Sequence, residues 1–579
     1  MQFNKRYTRP FAAAAIVLPM LAACGGSDNN NDPVTRATVF GQVTGVNDAS
    51  NSGTLSWKGI PYAKAPVGAL RWKAPADPDA WATTKATRAF APACVQYGRI
   101  YGPGANNTWD ATIGTTLNQA VGSEDCLYLN VWRPATEATN LPVIVFFHGG
   151  SNVSGYTADP VYDGANLART ANAVVVTVNF RLGIFGFMNL PQLKTGDAAN
   201  DSGNFAILDS IKSLQFVNKN IANFGGDPGN VTIMGQSAGA INVYALLTSP
   251  QLANASPKLF HKSVPLSGGL SLASNLPAGS IATLSPASTY LQQGNALLKQ
   301  MLVADGRATD ATVDAYIASQ TPAQLADFMR SRDAGLLLNV LLGKLAALGL
   351  AGSGPIPDGA VVPTDAIAAI NAGNYVKGPV LAGNTRDEGK LFPSFLPLVG
   401  GTGNARIVTD AQLITTQLNY KPDNPPQITI EQWIASSYLP VNTPVTGFTA
   451  RAQELNRRFL LASNINILDT LKTKQPEVYY YQFNWDKEPA PWNDIYGAAH
   501  LFDLPFLFGN FGPSLMANIM NTTANRPGRL DLSDAMMKSV GAFARTGNPN
   551  DAALGVTWPT WPKKVIFDAS LTAKSISVQ

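Results

Sequence analysis

Residues 231–240 read V-T-I-M-G-Q-S-A-G-A, an apolar run that passes through Gly-x-Ser-x-Gly straight into a helical pattern. A chain that turns from strand to helix in so few residues brings two backbones close together. Glycine tolerates both the sharp turn and the close approach. Such a turn lifts the hydroxyl of Ser237 clear of the end of its strand. With 51 glycines in 579 residues, about 0.3–0.4 matches to this five-residue pattern arise by chance. The flanking sequence therefore has to supply the strand, the helix and the chemical partners.

The neighbouring segments fit a parallel sheet. The run V-I-V-F-F at 143–147 is continuously apolar, as a strand covered on both faces requires. It ends in His148, Gly149, Gly150, Ser151 and Asn152, where glycine backbone leaves N–H groups free to face an anion. Residues 173–178 form a second such run. Ile207, Ile211, Leu214, Val217 and Ile221 step by four, three, three and four, which is one face of an amphipathic helix. Strand, helix, strand, sharp turn, helix is an α/β arrangement with Ser237 at a strand's carboxyl end. Further strands are predicted at 380–383 and 478–483, a closing helix at 532–546, and an antiparallel meander at 38–60. Helical periodicity dominates 270–355. Within it, 336–350 is apolar almost all round and reads as a buried packing helix, with a lid or membrane-facing helix as the other reading. The predicted fold is α/β: a mostly parallel central sheet flanked by helices, with helical insertions over the site.

Apolar residues make up 45% of the chain and charged residues 14%, the balance of an ordered globular protein. The net charge is 42 − 38 = +4, spread without basic runs, so no nucleic-acid partner is expected. Lys5, Arg6 and Arg9 precede an apolar run at 11–23 that is too short to span a bilayer and has the form of a targeting segment. Leu21, Ala22, Ala23 and Cys24 resemble the lipobox of bacterial lipoproteins, in which the chain is cut before the cysteine and the cysteine is lipidated. That resemblance implies a signal peptide over 1–23, a lipidated Cys24, a flexible tether over 24–35 and a folded domain over 36–579. The protein is then exported and anchored to a membrane by lipid. Gly25 after the cysteine resembles lipoproteins sent to an outer membrane, whether on its periplasmic or its surface face. With Cys24 so assigned, Cys94 and Cys126 remain, and in an oxidising compartment they pair in one way. The long loop between them carries Tyr97, Tyr101 and Trp109. These aromatics either border a binding site or pack the loop onto the body.

A hydrolytic serine needs an imidazole to take its proton, and the imidazole needs a carboxylate to hold its tautomer. Only His261 and His500 follow Ser237, and the expected chain order is serine, acid, histidine. No acid-bearing strand end separates Ser237 from His261, which leaves His500 as the base. Asp387 and Glu388 follow the strand at 380–383, and spacing does not choose between them.

These residues together resemble the type-B carboxylesterases, the cholinesterase-like branch of the α/β-hydrolases. The likeness runs from about 36 to 568. It rests on S-E-D-C-L-Y-L-N-V at 123–131, on G-G-D-P at 225–228 through G-Q-S-A-G at 235–239, on D-E-G at 387–389 and on G-A-A-H at 497–500. The resemblance implies a triad of Ser237, Glu388 and His500, and an oxyanion hole of the Gly150, Ser151 and Ala238 N–H groups. It also supports a Cys94–Cys126 bridge and implies structural ion pairs Arg71–Glu124 and Arg181–Asp209. Two positions depart from the family pattern. Ser151 stands where a third glycine is usual, and Gln236 where glutamate commonly precedes the nucleophile. The missing negative charge points to neutral small-molecule esters rather than choline esters. No cluster of ligands at metal spacing appears in the sequence, so no metal or organic cofactor is expected. An amidase or carbamate hydrolase using the same triad, and a binding module without catalysis, are the competing readings. The acyl and alcohol pockets are expected between 270 and 355 and in the 94–126 loop.

Overall fold

Strands built of continuous Val, Ile and Phe have no face that prefers water, so they pair side by side in the interior of one sheet. The computed structural model describes residues 33–107, 109–110 and 112–579, with Leu515 described in its backbone alone. The proposed signal peptide, Cys24 and the tether up to residue 32 lie outside the described residues. Val34–Gln579 forms one compact unit. Its main sheet contains, in chain order, β1 (Val46–Asp48), β2 (Thr54–Pro61), β3 (Tyr128–Pro134), β4 (Leu141–Phe147), β5 (Val174–Val178) and β6 (Gly226–Gln236). It continues with β7 (Lys262–Leu266), β8 (Val380–Thr385), β9 (Val478–Phe483), β10 (Val565–Ala569) and β11 (Lys574–Val578).

The spatial order is β1-β2-β3-β5-β4-β6-β7-β8-β9-β10-β11. Every neighbouring pair from β5 to β10 is parallel. The pairs at the two edges are antiparallel. β5 lies on one side of β4 and β6 on the other, so the winding reverses at β4. The crevice beyond the carboxyl ends at such a reversal is where ligands bind in open α/β sheets. Register aligns those ends: Gly235 of β6 pairs with Phe147 of β4, and Gln236 with Leu266 of β7. The predicted amphipathic helix is α1 (Phe205–Asn220), and β6 runs through Ser237 into α2 (Ala238–Thr248). The later sheet-flanking helices are α3 (Leu460–Lys472) and α4 (Arg526–Thr546).

The segment at 336–350 is broken rather than one helix. A helical stretch Ala334–Val340 passes into a wider turn at Leu341–Leu345 and a tight one at Ala346–Leu348. Leu337, Leu338, Leu341 and Leu345 enter the core, whereas Leu336 is 39% and Leu348 69% exposed. Its apolar character is therefore one buried face plus scattered surface leucines. No helix among the described residues is long and apolar enough to cross a membrane.

Cys94 and Cys126 are bonded, with their Cα atoms 5.0 Å apart across a separation of 32 residues. Arg71 donates two parallel hydrogen bonds to Glu124, at 2.7 and 2.5 Å. Arg181 likewise grips Asp209, at 2.8 and 2.7 Å, and both side chains of that pair are almost fully buried. Paired in this way, each buried charge keeps its partners, whereas loss of one member would leave the other uncompensated. Replacing Cys94 and Cys126 together by serine is expected to lower the unfolding free energy by about 3–4 kcal/mol, from the released loop entropy. A denaturant titration checks this, and an unchanged midpoint would mean that packing alone holds the loop.

Candidate active site

Ser237 sits between β6 and α2 with φ 59° and ψ −123°, a backbone conformation that costs a non-glycine residue of order 1–3 kcal/mol. The flanking glycines make the turn sterically feasible. A Cβ at Gly239 would stand 2.1 Å from the carbonyl oxygen of Phe147, and one at Gly235 2.3 Å from that of Gly239. The motif thus packs the start of α2 directly against the end of β4, which brings the serine beside the glycine loop that follows β4.

His500 approaches from the loop after β9 and is 2% exposed. Its Nδ1 is hydrogen-bonded to Glu388 Oε2. The other carboxylate oxygen, Oε1, accepts from the Thr385 N–H at 2.8 Å and from Asn384 Nδ2 at 3.0 Å. Burial pushes the Glu388 carboxyl up. The charge of His500 and the hydrogen bonds the carboxylate accepts outweigh that, and hold it below the usual glutamate range.

Asp387 does something else. Its carboxylate pairs with Arg386 at 2.6 Å and accepts from the Ala498 N–H at 3.1 Å, while its own N–H donates to the Ala498 carbonyl at 2.9 Å. It clips the histidine loop to the acid loop. Two adjacent carboxylates that spacing could not tell apart therefore face different partners, because successive residues in this turn point in different directions.

Nε2 of His500 is hydrogen-bonded to the side-chain amide of Gln236, Nε2 to Nε2 at 3.1 Å. Among the described residues, no hydrogen bond joins Ser237 Oγ to the imidazole. With Nδ1–H given to Glu388, Nε2 carries the lone pair, and the amide occupies the position from which a serine proton would arrive. In the glycine loop, Gly150 has φ 104° and Ser151 φ 56°. The backbone N–H groups of Gly150, Ser151 and Ala238 have no intramolecular partner among the described residues. Ser151 is exposed, with its side chain at the wall of the cavity.

That cavity has a volume of about 370 Å³ and opens onto Ser237, His500 and Gln236. Tyr101 and Trp109 of the disulfide loop line it, and Tyr97 does not. Phe392 lies 5.0 Å from the His500 ring, centroid to centroid. Phe395, Trp433 and Tyr496 extend the aromatic wall, with Arg99, Asp159, Lys390, Arg406 and Asp410 as its charged members. None of residues 270–355 lines it, contrary to the expectation from sequence. The covering insertion is the stretch from about 390 to 450, whose short helices Pro393–Val399 and Asp410–Asn419 lie in a region with no strong periodic signal.

The remaining histidines are structural. His261 Nδ1 accepts from the Val231 N–H at 3.2 Å, beside the start of the apolar run that ends at Gln236. That is about 15–20 Å from Ser237 by strand rise. His148 is buried below the glycine loop, stacked on Phe180, and burial drops it to about 4, so it is neutral at pH 7. Sequence reasoning missed the contact of Gln236 with His500. It also missed Asn384 beside Glu388 and Asp503, whose carboxyl burial raises to about 6. Of these, only Gln236 lay directly beside a candidate catalytic residue.

A mostly parallel sheet with a strained serine at its winding reversal, a histidine beyond a later strand and a buried carboxylate between them defines an α/β-hydrolase. The chain belongs to the carboxylesterase family, which it matches over residues 31–571. It is 30% identical to the para-nitrobenzyl esterase of Bacillus subtilis (strain 168) over 555 residues, covering 93% of this chain and 95% of that one. It is also 30% identical to the fumonisin B1 esterase of Sphingopyxis macrogoltabida over 559 residues, covering 96% and 88%. The solved structure of PNB esterase superposes with a TM-score of 0.68 at 26% identity, covering 94% of this chain and 96% of that one. The protein is thus a serine carboxylesterase by family and fold.

Replacing Gln236 by glutamate places a carboxylate against Nε2 of His500. A negative charge there favours the imidazolium, so the base is free only at higher pH. The acid limb of the kcat/KM profile of Gln236→Glu is expected to move up by about one pH unit. Superimposable profiles of parent and variant would show that the amide does not face the imidazole in solution.

Proposed function

We propose that the protein hydrolyses carboxylic esters that carry no positive charge, by acyl transfer through Ser237, His500 and Glu388. Rotation of the Gln236 amide away from Nε2 of His500 opens the path for the serine proton. Ser237 Oγ then bonds to the ester carbonyl carbon as His500 takes its proton, and the carbonyl electrons move onto oxygen. The resulting oxyanion is received by the N–H groups of Gly150, Ser151 and Ala238, donors of a kind worth roughly 3 kcal/mol each at the barrier. Collapse expels the alcohol, which leaves with the proton from His500. Water, deprotonated by the same imidazole, releases the acid from the acyl-enzyme. Glu388 keeps Nδ1 protonated and stabilises the imidazolium in both steps.

The observation that carries this reading is the buried Glu388, its carboxyl held below the usual glutamate range, on Nδ1 of His500, which lines the same cavity as Ser237 in its strained turn. The preference for esters without a cation rests on Gln236, whose amide supplies no charge beside the nucleophile. Relatives named for para-nitrobenzyl esters and for fumonisin B1 support an ester substrate and leave its acyl and alcohol groups to experiment. We further propose the segment plan of a lipoprotein: signal peptide 1–23, lipid on Cys24, tether 24–35 and catalytic domain 36–579. This plan puts the enzyme on a membrane facing the cell exterior or periplasm.

The test is hydrolysis of p-nitrophenyl esters of increasing acyl length by the purified protein beside Ser237→Ala. Turnover by the parent and a loss of about 10⁴-fold or more in the folded variant are expected. Equal rates would remove Ser237 from the mechanism. A folded parent inactive on every ester would shift the reading to amide or carbamate substrates, or to binding without chemistry.

A further inference from the structure

Behind Glu388, on the side away from His500, lies a chain of buried polar groups that the acyl-transfer steps leave unused. Tyr244 Oη donates to Asn464 Oδ1 at 2.6 Å, and Asn464 Nδ2 donates to Asn384 Oδ1 at 2.7 Å. Asn384 Nδ2 in turn donates to Glu388 Oε1 at 3.0 Å. Tyr480 Oη is a second donor to Asn384 Oδ1, at 3.3 Å. None of these five side chains belongs to a residue more than 2% exposed. The four that lead to Glu388 come from four separate elements: Tyr244 from α2, the helix that begins after Ser237, Asn464 from α3, Asn384 from β8 and Tyr480 from β9.

Every link of this chain donates toward the carboxylate. An asparagine amide can present either end to a neighbour, and a carbonyl end turned to Glu388 would repel the anion. Here Oδ1 of Asn384 is committed to Asn464 and Tyr480, so its Nδ2 has to face Glu388. Asn464 is oriented in the same way by Tyr244. Hydrogen bonds in series polarise one another, and here the last one ends on a charged acceptor. With Thr385 N–H and Asn384 Nδ2 both on Oε1, only Oε2 is left to turn toward His500.

We propose that Asn384 is a positioning residue for the reaction. It keeps Glu388 ionised and fixes which carboxylate oxygen meets the imidazole, while Asn464, Tyr480 and Tyr244 lock its amide in the donating orientation. This rests on the reading of Glu388 and His500 as acid and base. The direction of the effect follows from charge. A donor to Glu388 favours the deprotonated Glu388–His500 pair, which is the working form. Asp503 and Tyr481 also feel the charge of Glu388, and Asp503 that of His500. With both left in place in every variant, loss of the donor lets the pair bind a proton more readily, and the acid limb of kcat/KM moves to higher pH.

The experiment measures kcat and KM against pH, on a p-nitrophenyl ester, for Asn384→Leu, Asn384→Asp, Tyr244→Phe and Glu388→Gln beside the parent. Folding is checked by circular dichroism. Both Asn384 variants are expected to raise the midpoint of the acid limb by about one pH unit and to lower kcat about tenfold, with KM little changed. Tyr244→Phe is expected to move the limb the same way by less. Glu388→Gln is expected to lose activity across the whole range. If Asn384→Leu fails to fold, the nearly isosteric Asn384→Asp decides. Loss of activity in Glu388→Gln together with a parental acid limb in the folded Asn384 variants would overturn the proposal and leave the acid assignment standing. Parental activity in Glu388→Gln would overturn the acid assignment, and this inference with it.

Discussion

Glu388 has no solvent exposure, yet its carboxyl is held below the usual glutamate range. Taking an isolated carboxylate out of water costs several kcal/mol even after relaxation, so the charge persists only where protein groups replace the lost hydration. Here the replacements are the imidazole of His500 on one oxygen, and a backbone N–H and the Asn384 amide on the other. The geometry of the rest of the site is subordinate to that requirement. β8 must end beside β7, one strand from β6, to deliver the carboxylate, and Asp387 must clip the 498–500 loop so that the ring can reach it.

The second constraint is steric. The turn at Ser237 works because the start of α2 packs against the end of β4 with no side chain between them, and the Phe147 carbonyl marks how close that approach is. The same contact puts Ser237 next to the N–H groups of the glycine loop that have no partner among the described residues. Serine strain, helix start and glycine loop are thus three consequences of one packing contact at the winding reversal of the sheet. Gln236, the residue just before the serine, then falls within reach of His500, which no property of its own type would suggest.

Substrate selection is arranged differently. The cavity walls come from the disulfide loop, from the insertion at about 390 to 450 and from the segment around Tyr496 and Leu504. These are short helices and loops held on a rigid sheet, the usual division between scaffold and recognition surface. Their aromatic side chains make much of the wall apolar, while Arg99, Asp159, Lys390, Arg406 and Asp410 place charge at particular points of it.

Much of this was legible in the amino-acid order. Continuous apolar runs at 143–147, 173–178, 380–383 and 478–483 predict buried parallel strands because two-sided burial permits no polar alternation, and the structure has strands at each. Gly-Gln-Ser-Ala-Gly at 235–239 predicts the turn because only glycine fits a backbone approach of that kind. Pairing of Cys94 with Cys126 followed from counting, once Cys24 was set apart. Where local pattern carried no directional information, the chain was silent. Asp387 and Glu388 are adjacent and chemically alike, and only the path of the turn decides which of them meets His500. The helical region at 270–355 looked like the cover of the site because its periodicity is strong, yet strong periodicity reports a buried face and not its location. The true cover, from about 390, has weak periodicity because its short pieces pack by tertiary contact. Tyr244, Asn464 and Asn384 lie far apart along the chain, and nothing in their types or spacing joins them. Sequence determined the sheet, the nucleophile turn and the inventory of reactive groups, since those follow from local sterics and burial. Residue pattern and spacing left Asp387 and Glu388 open, and only the motif resemblance pointed to Glu388. The tertiary structure decided how that carboxylate meets the imidazole and which walls surround them, because both depend on where distant strands end.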